Sequence, residues 1–376
     1  MIKTYCFKLY NSKRNKHLHR LINLSAQIYN HCIALHKRYY RLYKQHLNKS
    51  KLQAHITKLK KLEKYEHWNN LNSQAIQEIT DRIENAYTLF FRNLKRKIRG
   101  SPPSFKKRIK YKSFTLKQTG YKLLDDNCLL ISKRKYKFFK SRDIDGKIKT
   151  VTIKRDTVGD IYIYFVCEIE AAGQVRTRTD KSVGFDFGLK TYLKASDNND
   201  IESPLFFKDS QNIIKKLSRE LSRKQKGSNN RRKAKRALAK QHIKIFNQRK
   251  DFQFKLVKQL CQEYDLICLE DLNTKAMQRL WGRKISDLSH SSFVSLLKQQ
   301  AEKYDVLVVE IPRFEPSSKT CSVCGVVVDD LPLKVRSWVC AACNAEHDRD
   351  FNAAVNILRV GTSTLGGVLV NPAFVG

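Results

Sequence analysis

Acidic residues are scarce in this chain: its 376 residues hold 35 Asp and Glu against 74 Lys and Arg, a formal net charge of +39. Such an excess repels itself unless a polyanion neutralises it, so nucleic acid is the expected partner. Also missing is any apolar run near the roughly eighteen residues that a membrane-spanning helix needs. The opening MIKTYCFKLY alternates like a strand where a secretory signal would carry an apolar core. A soluble, intracellular protein is expected. No repeat at solenoid spacing occurs, which argues against a stacked array.

What is present supplies ordinary cores. Hydrophobic residues make up 41% of the chain and aromatic ones 10%, enough for two or three folded domains. After the first strand a helical stretch begins near Asn11. Its clearest part, NSQAIQEITDRIENAYTLFFRNLKRKI, repeats Ile76, Ile79, Ile83, Tyr87, Phe90 and Leu94 at three and four residues, which predicts one buried face. GSPPSF at 100–105 breaks the helix. Short alternating runs follow, among them KSFTL, CLLIS, KTVTIKR and DIYIYFVCEIE, and read as a small barrel or sandwich interrupted by the helices. Beyond a polar link, AAGQVRTRTD, strands alternate with helices, the mark of an α/β domain with a mixed sheet. The whole is a multidomain α+β chain. Its last stretch, GTSTLGGVLVNPAFVG, has too little periodicity to assign.

Three carboxylates draw attention in the α/β part. In VGFDFG, Asp186 shares a strand face with Gly184 and Gly188, which leaves room beside its oxygens for a bulky substrate. In DLICLED, the apolar run 266–269 predicts a buried strand whose C-terminal end presents Glu270, with Asp271 on the other face. In HDRDFNAAVNIL, Asp348 and Asp350 both stand before an apolar run, where an acidic side chain can cap the first turn of a helix, and Asp350 offers a third carboxylate. Converging acidic oxygens in so basic a chain suit Mg²⁺, which takes carboxylate, water and phosphate oxygens. Two such ions could hydrolyse a phosphodiester. Taken singly, each acid also fits a turn former, a solvated strand end or a helix cap.

Four cysteines are not scattered like Cys6, Cys32, Cys128, Cys167, Cys261 and Cys268, which read as small buried hydrophobes. Cys321-x2-Cys324 and Cys340-x2-Cys343 form two knuckles suited to one structural Zn²⁺. Redox catalysis by either pair is the alternative, without a thioredoxin-like pattern to support it. His347 is not needed as a ligand, since four thiolates fill the site.

Two segments concentrate cations. KKLSRELSRKQKGSNNRRKAKRALAKQHIKIFNQRK predicts two helices around a turn at 227–230, with Arg231, Arg232 and Lys235 crowding the second start. SPPSFKKRIKYKSF mixes Phe105, Tyr111 and Phe114 with Lys106 and Lys107, the combination found where bases stack and phosphates are neutralised. A solvated helix face and a basic hairpin with its aromatics in the core are the plainer readings.

Taken together, VGFDFGLK, SRKQKGSNNRRKAKRALAKQH, NQRKDF, ICLEDLN, PSSKTCSVCG, WVCAACNAEHDRDFNAAVNIL and SFKKRIKYKSF resemble the TnpB (OrfB) proteins of bacterial insertion sequences, relatives of type V CRISPR effectors, in the same order from about residue 73 to 358. The resemblance implies an RNA-guided DNA endonuclease in the bacterial cytoplasm or nucleoid, one copy per guide RNA, acting on DNA beside a short flanking motif. It implies an RNase H-like (RuvC) nuclease domain at 177–315 and 347–360 with an inserted zinc ribbon at 316–346. A β-barrel, oligonucleotide-binding-like wedge domain would occupy 1–12 and 101–176, a helical recognition lobe 13–100 and a tail 361–376. The catalytic triad falls on Asp186, Glu270 and Asp350, with two Mg²⁺, so that Asp350 would be both cap and metal ligand; Asp271, Asp348 and Glu310 would be supporting. Gln74 and Gln77 of the lobe, and Phe105, Lys106, Lys107, Tyr111, Ser113 and Phe114 of the wedge, become candidate nucleic-acid contacts. A guide-RNA-dependent repressor without cleavage and a DNA-joining transposase are the rival functions. One departure from the family pattern is Glu315, where an aromatic or apolar residue is expected.

Overall fold

The structure is a computed structural model; it describes residues 2–124, 127–170, 176–188, 191–272, 282, 288–332 and 334–366. Residues 171–175 of the polar link and the tail beyond 366 therefore lie outside the described residues. The chain divides into two units, 1–171 and 172–376. No described helix is long and apolar enough to cross a membrane.

In the first unit, strand β1 (Ile2–Lys8) precedes helices α1 (Asn15–Tyr43), α2 (Lys49–Leu59) and α3 (Ser73–Lys95), with a 3-10 turn at Glu63–Asn70. Strands β2 (Ser113–Leu116), β3 (Tyr121–Leu123), β4 (Cys128–Ile131), β5 (Arg134–Lys137), β6 (Lys147–Arg155) and β7 (Ile161–Glu168) follow. They form a four-stranded sheet in the order β1-β7-β6-β2 and a three-stranded sheet β3-β4-β5. β1 pairs with β7 from Ile2 opposite Glu168 to Lys8 opposite Tyr162, so the helices are an insertion between sheet partners. Alternation drives this pairing: Tyr5 and Phe7 of β1 are buried with Ile163 and Phe165 of β7.

Helix α1 buries Leu18, Leu21, Ile22, Ile28, Cys32 and Ile33 at three- to four-residue steps. Asn72 caps α3 by accepting from the Gln74 backbone N–H. The apolar stripe expected on α3 holds for Ile76, Ile79, Ile83 and Tyr87, and Phe90 is partly buried. Leu94 departs from it and is 61% exposed, because the helix there has run beyond the core.

The second unit begins with β8 (Ser182–Asp186), β9 (Thr191–Ala195) and β10 (Ile201–Glu202). Helices α4 (Phe206–Asp209), α5 (Gln211–Ser222) and α6 (Asn229–Glu263) follow, then β11 (Leu266–Glu270), α7 (His290–Tyr304) and β12 (Leu307–Ile311). A small hairpin of β13 (Ser337–Val339) and β14 (Glu346–Asp348) leads into α8 (Arg349–Gly366). The sheet order is β10-β9-β8-β11-β12, with β8, β11 and β12 parallel and β9 antiparallel to β8.

Strand parity sorts the two faces. Val183, Phe185, Ile267 and Leu269 share a core with Leu256, Leu260, Phe293 and Leu297 of α6 and α7. Leu266, Cys268 and Ile311 face the other way, against Ile357 of α8. α8 extends eight residues past the periodic segment ending at Leu358. Gly361 fits against Cys268, and Thr362, Ser363 and Thr364 satisfy their hydroxyls on carbonyls of the preceding turn.

Candidate active site and zinc centre

Sheet parity determines where the acids go. Asp186 lies two residues beyond Gly184, and Glu270 two beyond Cys268, so both share the face that α8 covers. β11 pairs with β8 in parallel up to Leu269 opposite Phe185, which brings Glu270 level with Asp186 at the C-terminal ends of adjacent strands. Asp350 stands in the first turn of α8.

The electrostatics record this convergence. Burial, reinforced by the charge of Asp350, pushes the Asp186 carboxyl up to about 6. Burial, with the charges of Asp186 and Asp271, pushes Glu270 up to about 7. Buried carboxyls raised by neighbouring carboxylates in this way favour a divalent cation, which offsets both the repulsion and the desolvation cost. This acidic, oxygen-only donor set fits Mg²⁺.

α8 approaches the sheet through glycine. A Cβ on Gly184 would stand 2.3 Å from the Ala354 carbonyl oxygen and 2.6 Å from the Leu358 nitrogen. The space beside Asp186 that sequence reading reserved for substrate is thus filled by helix backbone. Gly188 is crowded instead by the Thr191 backbone, its Cβ position lying 2.4 Å from the Thr191 oxygen.

The cap of α8 also differs from expectation. Asp348 accepts from the Phe351 backbone N–H at 2.8 Å and is the cap. Both oxygens of Asp350 accept from Arg336 Nη1, at 3.1 and 3.3 Å, so Asp350 is not the cap. Asp271 pairs with Arg313 at 2.7 Å, and Glu310 on the opposite sheet face pairs with Lys298 of α7. Arg336 was invisible to sequence reasoning: it is one arginine among many, between the two cysteine pairs, and only folding carries it to Asp350.

The four thiolate sulfurs of Cys321, Cys324, Cys340 and Cys343 all lie within 4.8 Å of one another, the arrangement a tetrahedral Zn²⁺ requires. Burial opposes ionisation of Cys321, but the backbone N–H groups of Cys324 and Val323 and the His347 imidazole outweigh it and bring the thiol down to about 5. His347 Nε2 stands 3.1 Å from Cys321 Sγ, so its part is to hold a ligand. Buried Asn352 and Asn356 of α8 donate to the Thr320 carbonyl at 2.8 and 2.6 Å. Asn352 also accepts from Ser322 N at 2.9 Å. The first knuckle is thereby fastened to the helix that bears Asp350, and Arg349 Nη1 ties the same helix to the Pro332 carbonyl at 2.7 Å.

Comparisons with known proteins agree with this architecture. Residues 164–280 match the family model OrfB_IS605, described as a probable transposase, and residues 290–357 match the Cas12f1-like TNB domain. The TnpB-like protein L79 of Acanthamoeba polyphaga mimivirus is 31% identical over 229 residues, 57% of this chain and 43% of that protein. A putative RNA-guided DNA endonuclease of Streptomyces pristinaespiralis is 31% identical over 314 residues, covering 82% of this chain and 76% of its own length. The chain belongs to the TnpB family. This TnpB chain also shares its fold with the protein in the Cas12f1–sgRNA–target DNA complex, at a TM-score of 0.60 and 13% identity over 95% of this chain and 98% of that one.

The residues assigned to nucleic acid by the TnpB resemblance separate on inspection. Tyr111 and Phe114 are buried in the first unit's core and show no open face to a base. Their strand and turn pack on α1 and α3, which the alternation of basic and aromatic residues did not reveal. Gln74 Oε1 accepts from the backbone N–H groups of Lys117, Gln118 and Thr119, so it pins a turn. Ser113 accepts from Arg82 at 3.4 Å. Arg231 clamps the α5–α6 turn by donating to the Leu221 and Lys224 carbonyls, and Arg232 donates to Asn229. Gln77, Lys106, Lys107 and Lys235 are exposed, as is Phe105, whose ring lies 4.8 Å from Lys37 Nζ.

Proposed function

We propose that this protein is an RNA-guided, Mg²⁺-dependent DNA endonuclease encoded by an insertion sequence, with an RNase H-like active site formed by Asp186, Glu270 and Asp350. What supports the reading is that Asp186 and Glu270 end adjacent parallel strands on the face that α8 covers, while Asp350, in the first turn of α8, is near enough for its charge to act on Asp186, in a TnpB-family chain of charge +39. The relative from Streptomyces bears the name RNA-guided DNA endonuclease, and the fold neighbour was solved with guide RNA and target DNA.

In this reading Asp186, Glu270 and Asp350 would hold two Mg²⁺, which when bound would supply an activated water and neutralise the leaving oxygen of a phosphodiester. The chain's own residues do the positioning. Asp186 and Glu270 are fixed by the parallel strand pair, and Asp350 by the seat of α8 on Gly184. Arg336, which donates to Asp350, would be at hand to neutralise a non-bridging phosphate oxygen if cations took the Asp350 oxygens. The cysteine cluster would hold one structural Zn²⁺, its four thiolates filling a tetrahedral site. The first unit would supply a wedge domain and helical lobe that hold the guide RNA, with one protein copy per RNA, in the bacterial cytoplasm. Base pairing would select the target and the protein would read a short flanking motif.

The test is a matched plasmid cut by the RNA-loaded protein with Mg²⁺. Asp186→Ala should bind the target as the parent does and fail to cut. Wild-type protein that binds without cutting would make it a guide-dependent repressor. Joined strands in the products would make it a transposase.

A further inference from the structure

Where β1 ends, the chain crosses β5. Leu9 bridges to Phe138, the Tyr10 N–H donates to the Lys137 carbonyl at 3.0 Å, and the Phe139 N–H donates to the Lys8 carbonyl at 2.9 Å. This crossing places the Tyr10 and Phe139 rings face to face, with centroids 3.7 Å apart and planes 27° from parallel. Neither ring enters the core; Tyr10 is 43% and Phe139 48% exposed. A flat aromatic surface of this kind, left in water, has no structural need to be there.

Beside it opens a cleft of about 510 Å³ whose lining includes Tyr10, Arg14, Asn127, Lys135 and Lys137. Lys135 and Lys137 flank buried Tyr136 in β5 and so project from the same outward face. No acidic side chain is among the described lining residues. No carboxylate among the described residues pairs with Arg14, Lys135 or Lys137, whereas Lys8 and Lys140 nearby are paired with Asp160 and Asp143. Cations with no acidic partner among the described residues, set around an exposed ring, complement a ligand that carries both a flat ring and an anion.

From this geometry we infer that the cleft binds one unpaired nucleotide of an RNA strand. Its base stacks on Tyr10, which Phe139 backs, its flanking phosphates lie against Arg14, Lys135 and Lys137, and the Asn127 amide is available to the ribose 2′-hydroxyl. The volume suits one splayed nucleotide and is too small for a duplex. The inference rests on the reading of this protein as an RNA-guided nuclease, but it involves none of the residues placed in cleavage or zinc binding.

The experiment uses the full chain purified with the RNA it collects in cells. Ultraviolet crosslinking followed by peptide mass spectrometry should find ribonucleotide adducts on Tyr10 or Phe139. Binding is then measured by fluorescence anisotropy with a labelled 12-nucleotide single-stranded RNA of mixed sequence, and with its DNA counterpart. The Tyr10→Leu, Phe139→Leu double variant should bind the RNA about tenfold more weakly. Lys135→Glu with Lys137→Glu should weaken binding and flatten its salt dependence by roughly one unit of slope per cation removed. Both sets of residues are exposed, so thermal midpoints should stay with the parent; the charge-reversal pair decides if the ring variant alone fails to fold. Adducts confined to other peptides, or unchanged affinity in the charge-reversal variant, would overturn the assignment while leaving the nuclease reading standing. Stronger binding of the DNA would overturn RNA as the occupant. A chain carrying no RNA at all would remove both readings.

Discussion

Replacing Gly184 by alanine adds one methyl group at the point where α8 meets the sheet. That methyl would sit 2.3 Å from the Ala354 oxygen, 2.6 Å from the Leu358 nitrogen and 2.9 Å from the Leu358 Cβ, where ordinary contact begins near 3.4 Å. Two of the three obstacles are backbone, so no rotamer change relieves them, and α8 must retreat by about 1 Å. Overpacking of this kind costs about 1–3 kcal/mol. For a unit of this size that is a fall in Tm of roughly 2–10 °C. Asp350 lies one turn from Ala354 and moves with the helix. A displacement of about 1 Å at a reacting centre costs on the order of 10²-fold in rate. The expected result for RNA-loaded Gly184→Ala is cleavage of a matched plasmid slowed about a hundredfold, with target affinity retained. Gly100→Ala, where nothing lies within 4 Å of the added atom, is the control and should cut as the parent does. A folded Gly184→Ala protein that cuts within a few-fold of the parent would refute the claim that this contact positions the site.

Three further outcomes follow from the same site. Asp186 and Glu270 have native pKa values raised from 3.8 to about 6 and from 4.5 to about 7, so the native state binds their protons more tightly than the unfolded chain. Their destabilising contribution is absent below about pH 4 and grows as pH rises to about 7, reaching about 3 kcal/mol for Asp186 alone. Asp186→Asn in EDTA should therefore melt higher than the parent at pH 8 and alike at pH 4, and Mg²⁺ should raise the parent's midpoint much more than the variant's; calorimetry decides. Cys340→Ser, or zinc removal by a strong chelator, should release the first knuckle from Asn352 and Asn356 and abolish cutting while co-purifying RNA is retained, read by metal analysis beside the plasmid assay. The Arg336–Asp350 pair is exposed, 67% and 42% at its two side chains, and should add less than about 1 kcal/mol to stability. Arg336→Gln should keep the parent's melting curve and lose at least about tenfold in cleavage rate at saturating Mg²⁺; an unchanged rate would remove it from the proposed phosphate contacts.

Sequence patterns were legible where a residue's role depends on its near neighbours. Alternation in SVGFD and LICLE set which side chains share a sheet face, and the spacing of Cys321, Cys324, Cys340 and Cys343 anticipated the gathering of their sulfurs. Patterns misled where the answer lay with a distant partner. A glycine announces a missing side chain but not what occupies the gap, so the room beside Asp186 was read as substrate space when it belongs to the Ala354–Leu358 backbone. Asp348 and Asp350 were both plausible caps, and the choice depends on where the first helical residue falls. Tyr111 and Phe114 looked available because their neighbours are cations, yet packing against α1 and α3 buries them. The Tyr10–Phe139 pair spans 129 positions and left no trace in local sequence.

α8 is gripped at three levels: by the knuckle through Asn352 and Asn356, by Gly184 beneath Ala354 and Leu358, and by Gly361 seated on Cys268. Inserting or deleting one residue between 350 and 361 would turn one end of the helix by about 100° against the other, so that the grips could not all be kept. Changes of length in this segment are therefore forbidden even where substitutions are tolerated. An engineer who wants to append a fused effector should do so past Gly366, leaving the clamped turns alone.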